Sequence, residues 1–296
     1  MSEYVLTCDA PVDITPEHLE ALGVSNICFH YSINGTEYSD DLGKTIPFPE
    51  FYEKLAGGAD IRTSQANRTD YEEFFEPYLK DGKDILHISF SSGLSGSYNS
   101  ACFAADDLKT RYPDRKIYIV DSRSASSGFG LLVDGAAHQK LAGMDIDSLR
   151  DWTTENRMRA QHWFLSCDLS FYIKGGRISK TAGTVASTLG ICPLMHMDEP
   201  GHLVPVDKLH TKKKTMKNIL NKMVELADGG TEYSGKCFIS HSNCPEDAAA
   251  LAAAVEEKFP NLDGKVLINY IGTSVGTHTG PGTTALFFWG GDRAKE

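Results

Sequence analysis

Nothing in this chain approaches the ~20 consecutive apolar residues that a membrane-spanning helix requires. Its most alanine-rich stretch, Ala248 to Val255, is only long enough for an ordinary surface helix. The opening Met1-Ser2-Glu3-Tyr4 has no basic region followed by an apolar one, so no secretory signal is expected. No two cysteines have CxxC spacing, and seven scattered cysteines, an odd count, suit a reducing cytoplasm. Positive charge is in deficit. Lys and Arg number 29 against 40 Asp and Glu, a formal charge of -11, which argues against nucleic acid or an anionic membrane as the main partner. There is no low-complexity segment and no internal repeat. What remains is a soluble globular chain of 296 residues, 41% hydrophobic and 23% charged, with room for one large domain or two ordinary ones.

Nucleotide signatures are missing as well. Gly43-Lys44-Thr45 resembles the end of a P-loop, but the glycine needed five positions earlier is Tyr38. Gly128-Phe129-Gly130 follows a strand, yet the third glycine of a dinucleotide fingerprint is Val133. Gly93-Leu94-Ser95-Gly96-Ser97 has a serine where a hydrolase elbow needs glycine. These gaps count against an autonomous enzyme.

The stretch Ile88 to Ser100 is where chemistry is concentrated. The apolar run Asp84 to Phe90 reads as a buried strand of the kind parallel sheets use. It empties into a Ser/Gly loop, and Tyr98 to Tyr112 then has helical periodicity. Free backbone N–H groups at that helix start, the dipole behind them and rotatable serine hydroxyls make a place to hold an anion. The plainer reading is that Ser95 or Ser97 only caps the helix.

Around this element the chain alternates strands and helices. Tyr4 to Asp9 is a strand, Thr15-Pro16-Glu17 opens a helix, and Ile27 to Ile33 is a strand returning through the hairpin turn Asn34-Gly35. A helix from Pro49 to Leu55, the polar run Ile61 to Gln65 and a helix from Thr69 to Lys80 follow. Beyond the central loop come a strand at Lys116 to Val120 and a helix from Ser127 to Leu141. That order implies a mostly parallel sheet flanked by helices, with Thr63-Ser64 and Ser95 at carboxyl ends of its strands, where ligands bind. From about residue 150 hairpins mix with helices. Trp163 to Leu165, Cys192 to Met197, His202 to Val206, Cys237 to His241, Val266 to Tyr270 and a closing Ala285 to Trp289 read as strands. Gly175-Gly176 feeds a helix to Leu189, and Gly276 to Gly282 reads as a polar loop. The expectation is α/β with two domains, 1–150 carrying a mostly parallel sheet and 151–296 a mixed one.

Other candidates are weighed singly. His278 stands among glycines, where a histidine donates to an anion and turns cationic when the anion holds its pKa up; an exposed loop histidine is the alternative. An isolated Arg177 is more often a surface or domain-contact residue than a ligand. His196 and His202 match no common zinc spacing, so no metal is expected. Lys208, Lys212, Lys213, Lys214 and Lys217 form a basic face, either solvated or a docking surface for an acidic partner.

Taken together, Thr63-Ser64-Gln65, Ser91-Ser92-Gly93-Leu94-Ser95-Gly96-Ser97-Tyr98, Gly175-Gly176-Arg177-Ile178-Ser179 and His278-Thr279-Gly280-Pro281-Gly282 resemble the DegV family. These are bacterial fatty-acid-binding proteins that include the FakB subunits of fatty acid kinase. The match runs in order over nearly the whole chain. It implies two α/β domains with a long-chain fatty acid between them, its tail buried and its carboxylate held by the threonine and serine loops. By position the resemblance puts Thr63 and Ser95 on the carboxylate, with Ser64 and the Gly96 amide nearby and His278 closing the site. Arg177 maps near the partner-facing surface. One departure concerns Lys208 to Lys212, where family members commonly carry an arginine and this chain has His210, so head-group or partner contacts there are altered.

The resemblance implies a cytoplasmic lipid-binding protein, without cofactor other than the bound fatty acid. It would present the carboxylate to a separate ATP-binding kinase subunit, giving acyl phosphate for phospholipid metabolism. Stable membrane insertion is not expected. Two rivals remain: a serine-dependent acyl hydrolase with Ser95 as nucleophile and His278 as base, or a sensor of another small carboxylate.

Overall fold

The structure is a computed structural model that describes residues 3–178 and 191–295. The expected helix from Gly176 to Leu189 falls largely on residues outside that range. Strands β1 (Tyr4–Asp9), β2 (Val24–Ile27), β6 (Asp84–Ser89) and β7 (Ile117–Asp121) form a four-stranded sheet in the order β2-β1-β6-β7, every pairing parallel. All six residues of β6 are buried, as a central strand requires.

The segment read as one strand from Ile27 to Ile33 is two. Val24–Ile27 stays in the parallel sheet, the chain turns at Cys28-Phe29, and β3 (His30–Ile33) enters a separate antiparallel sheet with β4 (Thr36–Ser39) and β5 (Ile61–Ser64). Phe29 marks the break: its ring is buried edge-on to Phe90, and its carbonyl accepts from the Asp40 N–H. Thr63-Ser64 therefore ends a strand of this small antiparallel sheet, not of the parallel one.

The second half builds a six-stranded mixed sheet from β8 (Ala160–Leu165), β9 (Leu194–Met197), β10 (Leu203–Asp207), β11 (Phe238–His241), β12 (Leu267–Tyr270) and β13 (Thr284–Trp289). Its order is β10-β9-β8-β13-β11-β12, and only β11 and β12 run parallel. The last strand does not close an edge. Its run Thr284-Ala285-Leu286-Phe287-Phe288 is buried throughout, and it lies in mid-sheet between β8 and β11.

Helices cover these sheets: α1 (Pro16–Ala21), α2 (Phe48–Ala56), α3 (Arg68–Lys80), α4 (Ser97–Arg111), α5 (Ser126–Leu141), α6 (Ile146–Asn156), α7 (Ser170–Lys174), α8 (Lys212–Leu226), α9 (Pro245–Lys258) and α10 (Thr273–Thr279). Helix α5 is buried on nearly every side, because it packs on β8, β11 and β13 while joining an apolar core shared with β1 and β6. Cys167 and Cys192 form a disulfide with Cα atoms 4.1 Å apart. It continues the β8–β9 ladder, in which Leu165 faces Leu194, and so pinches the base of the excursion bearing α7. That pairing departs from the reading of the cysteines as thiols of a reducing compartment.

Candidate ligand-binding site

The Ser/Gly loop is held from both sides by aspartates at the ends of the strands flanking β6. Asp9, wholly buried at the end of β1, accepts from Tyr71 Oη at 2.6 Å, Ser89 Oγ at 2.8 Å and the Phe90 N–H at 2.7 Å, and faces His87 Nε2 at 3.0 Å. Asp121, ending β7, accepts from Ser92 N and Oγ at 3.1 and 2.6 Å and from Arg123 N at 3.0 Å. Ser91 Oγ donates across to the Gly201 carbonyl in the β9–β10 turn. The loop is thus a fixed cradle, and both aspartates escaped the sequence reading, although each is the last residue of an apolar strand.

Beyond the cradle, Gly96 occupies the N-cap position of α4 and supplies no side-chain bond. Ser95 Oγ accepts from the Ser97 N–H at 3.2 Å and donates to Gln65 Oε1 at 3.2 Å; neither Ser95 nor Ser97 is the N-cap, although Ser95 satisfies the N–H of the first helical residue. A methyl group on Gly96 would sit 2.8 Å from Gln65 Oε1, so the Gln65 amide would have to give way.

Opposite stands His278, whose Nε2 lies 2.7 Å from Thr63 Oγ1. It does not lie in a free loop as expected: it is in the last turn of α10. Two buried carboxylates hold that short helix at its start, Asp13 Oδ1 accepting from the Gly272 N–H at 2.9 Å and Asp40 Oδ2 from the Ser274 N–H at 3.1 Å. Burial first, then the Arg177 guanidinium, push His278 down to about 4, so with no anion beside it the ring is a neutral partner of Thr63 at pH 7. A side chain on Gly175 would collide with His278 Nδ1, which explains one glycine of the Gly-Gly-Arg run.

Thr63, Ser64, Ser95, Gly96, His278 and Arg177 all open onto one cavity of about 540 Å³. Its remaining wall is largely apolar and includes Phe29, Phe90, Phe164, Met197, Leu203, Val275 and Phe287. Polar side chains thus share a mostly apolar lining, Ser126, His162, Ser274, Thr279 and Thr283 among them. Arg177 belongs to this mouth, half-buried, with Nη1 donating to the Gly175 carbonyl at 2.6 Å. His210 does not reach it; it is exposed ahead of α8. His196 is a core residue stacked on Trp163 at 4.3 Å, while His202 is exposed beside Asp198. Of the lysines, Lys212 is engaged by Asp247, and Lys208, Lys213, Lys214 and Lys217 are exposed.

The hydrolase reading loses its geometry here. A nucleophile needs its base within hydrogen-bond reach, yet Ser95 bonds Gln65 and His278 bonds Thr63.

The sequence and the fold both have relatives. Residues 4–290 match the model of a family described as uncharacterised proteins of the DegV family. A DegV domain-containing protein of Clostridium perfringens is 38% identical over 290 residues, covering 98% of each chain. Another from Lactococcus lactis is 30% identical over 96% of each. Among solved structures, a DegV family protein from Thermus thermophilus described for its fatty-acid binding superposes with a TM-score of 0.86 at 24% identity, over 98% of this chain and 100% of that one. The Fatty Acid Kinase B3 protein of Streptococcus pneumoniae, solved with linoleic acid, does so with a TM-score of 0.84 at 20% identity, again over 98% and 100%. With near full-length matches in both family model and relatives, this chain belongs to the DegV family.

Proposed function

We propose that this protein binds one long-chain fatty acid and presents its carboxylate to a separate ATP-binding kinase subunit, which phosphorylates it to an acyl phosphate. In this reading residues 1–150 contribute the hydroxyl-bearing loops and residues 151–296 the histidine. The observation that carries it is a mostly apolar cavity whose lining includes Thr63, Ser95 and His278, with Thr63 bonded to His278. A chain of roughly 16 carbons gains on the order of 12 kcal/mol gross from burial at about 0.8 kcal/mol per CH₂. An unpaired buried carboxylate would cancel much of that; the hydroxyls of Thr63, Ser64 and Ser95 and the Gly96 amide are the donors that prevent it. The Arg177 guanidinium supplies positive potential, since His278 is neutral before the anion arrives. Fatty-acid binding by the Thermus relative and the linoleic acid held by the pneumococcal one support the ligand class. The missing nucleotide motifs support leaving ATP to a partner in the cytoplasm.

The test is to extract the purified protein, identify the ligand by mass spectrometry, and assay acyl phosphate formation with and without a fatty acid kinase subunit. A fatty acid should be recovered, and product should need both proteins. Acyl phosphate made by this chain alone would overturn the division of labour, and a purified protein that neither carries nor takes up fatty acid would overturn the whole reading.

A further inference from the structure

We infer that Arg293 is a positioning residue for the ligand: its guanidinium fastens the β9–β10 hairpin to the loop that follows β7, and so holds one wall of the cavity in place. This rests on the fatty-acid reading above.

The run Asp292-Arg293-Ala294-Lys295 is polar, and an arginine in such a run ordinarily extends into water. Arg293 is instead 3% exposed. Burying a guanidinium is costly unless its N–H groups are used, and here they are. Nη1 donates to the Met197 carbonyl at 3.1 Å and to the Asp198 carbonyl at 3.3 Å. Nη2 donates to the carbonyls of Arg123 at 3.0 Å and Arg157 at 3.3 Å, with Ser124 Oγ at 3.4 Å. One planar fork thus joins the end of β9 and its turn, the loop after β7, and the short turn Arg157–Arg159 ahead of β8.

What the fork holds is cavity wall. Met197 and Leu203 both line the cavity and face each other across β9 and β10. Strand β10 ends its sheet beside β9, so strand pairing leaves the hairpin's place against the parallel half to be set by side chains. On the other side of the seam, the loop that receives Nη2 runs on into Ala125 and Ser126, which line the same cavity. Two more bonds cross here, from Ser91 Oγ to the Gly201 carbonyl at 2.9 Å and from Arg123 Nη1 to the Glu199 carbonyl at 3.4 Å. Each of these reaches over from one side, whereas Arg293 comes from beyond β13 and grips both sides at once. A guanidinium is always charged and presents its donors in a fixed plane, which the single centre of a lysine does not reproduce. Truncating it leaves several inward carbonyls without a donor, and the hairpin must shift outward to let water reach them. Met197 and Leu203 then pack less closely on an acyl chain, and the loss falls mainly on the rate of release.

The experiment follows the release of cis-parinaric acid, a fluorescent fatty acid, displaced by excess palmitic acid in stopped flow, for wild type, Arg293→Met, Arg293→Lys and Tyr233→Phe. Tyr233 is the control for lost stability alone: its Oη donates to the Lys236 carbonyl and accepts from the Trp289 N–H within the second core, away from the cavity lining. Release should be about tenfold faster in Arg293→Met, with association within about threefold of wild type. It should also be faster in Arg293→Lys, which keeps the charge without the fork, and unchanged in Tyr233→Phe. Unchanged release in the folded arginine variants, or an equal acceleration in Tyr233→Phe, would overturn the role by making Arg293 dispensable to the ligand or a source of stability only. Failure of both arginine variants to fold would overturn it as well, since the residue would then be a determinant of the fold. Wild type that takes up no cis-parinaric acid would instead sink the fatty-acid reading, and this role with it.

Discussion

Loading the cavity with a fatty acid should make the protein take up a proton at His278. In the free chain, burial and then Arg177 hold this histidine at about 4 instead of the ordinary 6.5. A carboxylate at about 4 Å in a half-buried setting attracts an imidazolium by roughly 4 kcal/mol, and about 1.4 kcal/mol moves a pKa by one. The anion is strong enough to offset most of the depression. The free protein then binds no proton at His278 between about 4 and 6.5, whereas the complex does, so affinity should rise as the pH falls through that window. The steepest slope is tenfold per pH step, and the rise ends where the fatty acid itself protonates. For the unliganded fold the sign is also set. A depressed histidine contributes stability that is present above 6.5 and lost as the pH falls through about 4, and buried His196, also held at about 4, adds to the same trend. Calorimetry of palmitate binding near pH 5.5, in two buffers of different ionisation enthalpy, measures the uptake. A substantial fraction of one proton is expected in wild type and none in His278→Gln. Zero uptake in wild type, or the same uptake in the variant, refutes the electrostatic reasoning.

Three further outcomes follow from groups outside the ligand's reach. Asp9→Ala strands the buried Tyr71, Ser89 and Phe90 donors, and should cost about 3–5 kcal/mol in urea unfolding; a loss under 1 kcal/mol would mean that the cradle does not depend on it. Cys167→Ser opens a loop of 25 residues and should remove about 3 kcal/mol. Wild type in dithiothreitol should fall to the same value, and a difference between the two would show that the serine, not the lost cross-link, is responsible. Asp13 is pushed up to about 7, chiefly by burial, against the opposing bonds from Ser126 and Gly272, with Asp40 raising it further. A raised carboxyl contributes stability present below its ordinary 3.8 and lost as the pH rises through about 7. The histidine trend runs the other way, so the test is the difference: wild-type melting temperature minus that of Asp13→Asn should fall as the pH rises across that range; parallel profiles would remove Asp13 as a contributor.

What was legible in the sequence is what local signals encode. The strand β6, its Ser/Gly exit and the helix after it announce themselves within 30 residues, because an apolar run, small residues and helical periodicity are properties of neighbours in the chain. Thr63 was legible as a residue but not as a position: its strand faces β3 rather than β1, and the pairing partner of a short strand is decided by tertiary packing. The helix holding His278 was hidden for a related reason. Thr273-Ser274-Val275-Gly276-Thr277 has poor helix propensity, and what holds the first turn is Asp13 and Asp40, more than 230 residues away in sequence. The disulfide, Gln65 and the aspartate clamps share that character, each set by register between segments that do not adjoin. The apolar lining was invisible for the opposite reason, since Phe164 and Phe287 look like any core phenylalanine until the space beside them is found unfilled. A site assembled at the junction of three sheets can thus be read from one sequence as a set of donors. The wiring among those donors, Thr63 to His278 and Ser95 to Gln65, argues here for holding an anion rather than attacking an ester.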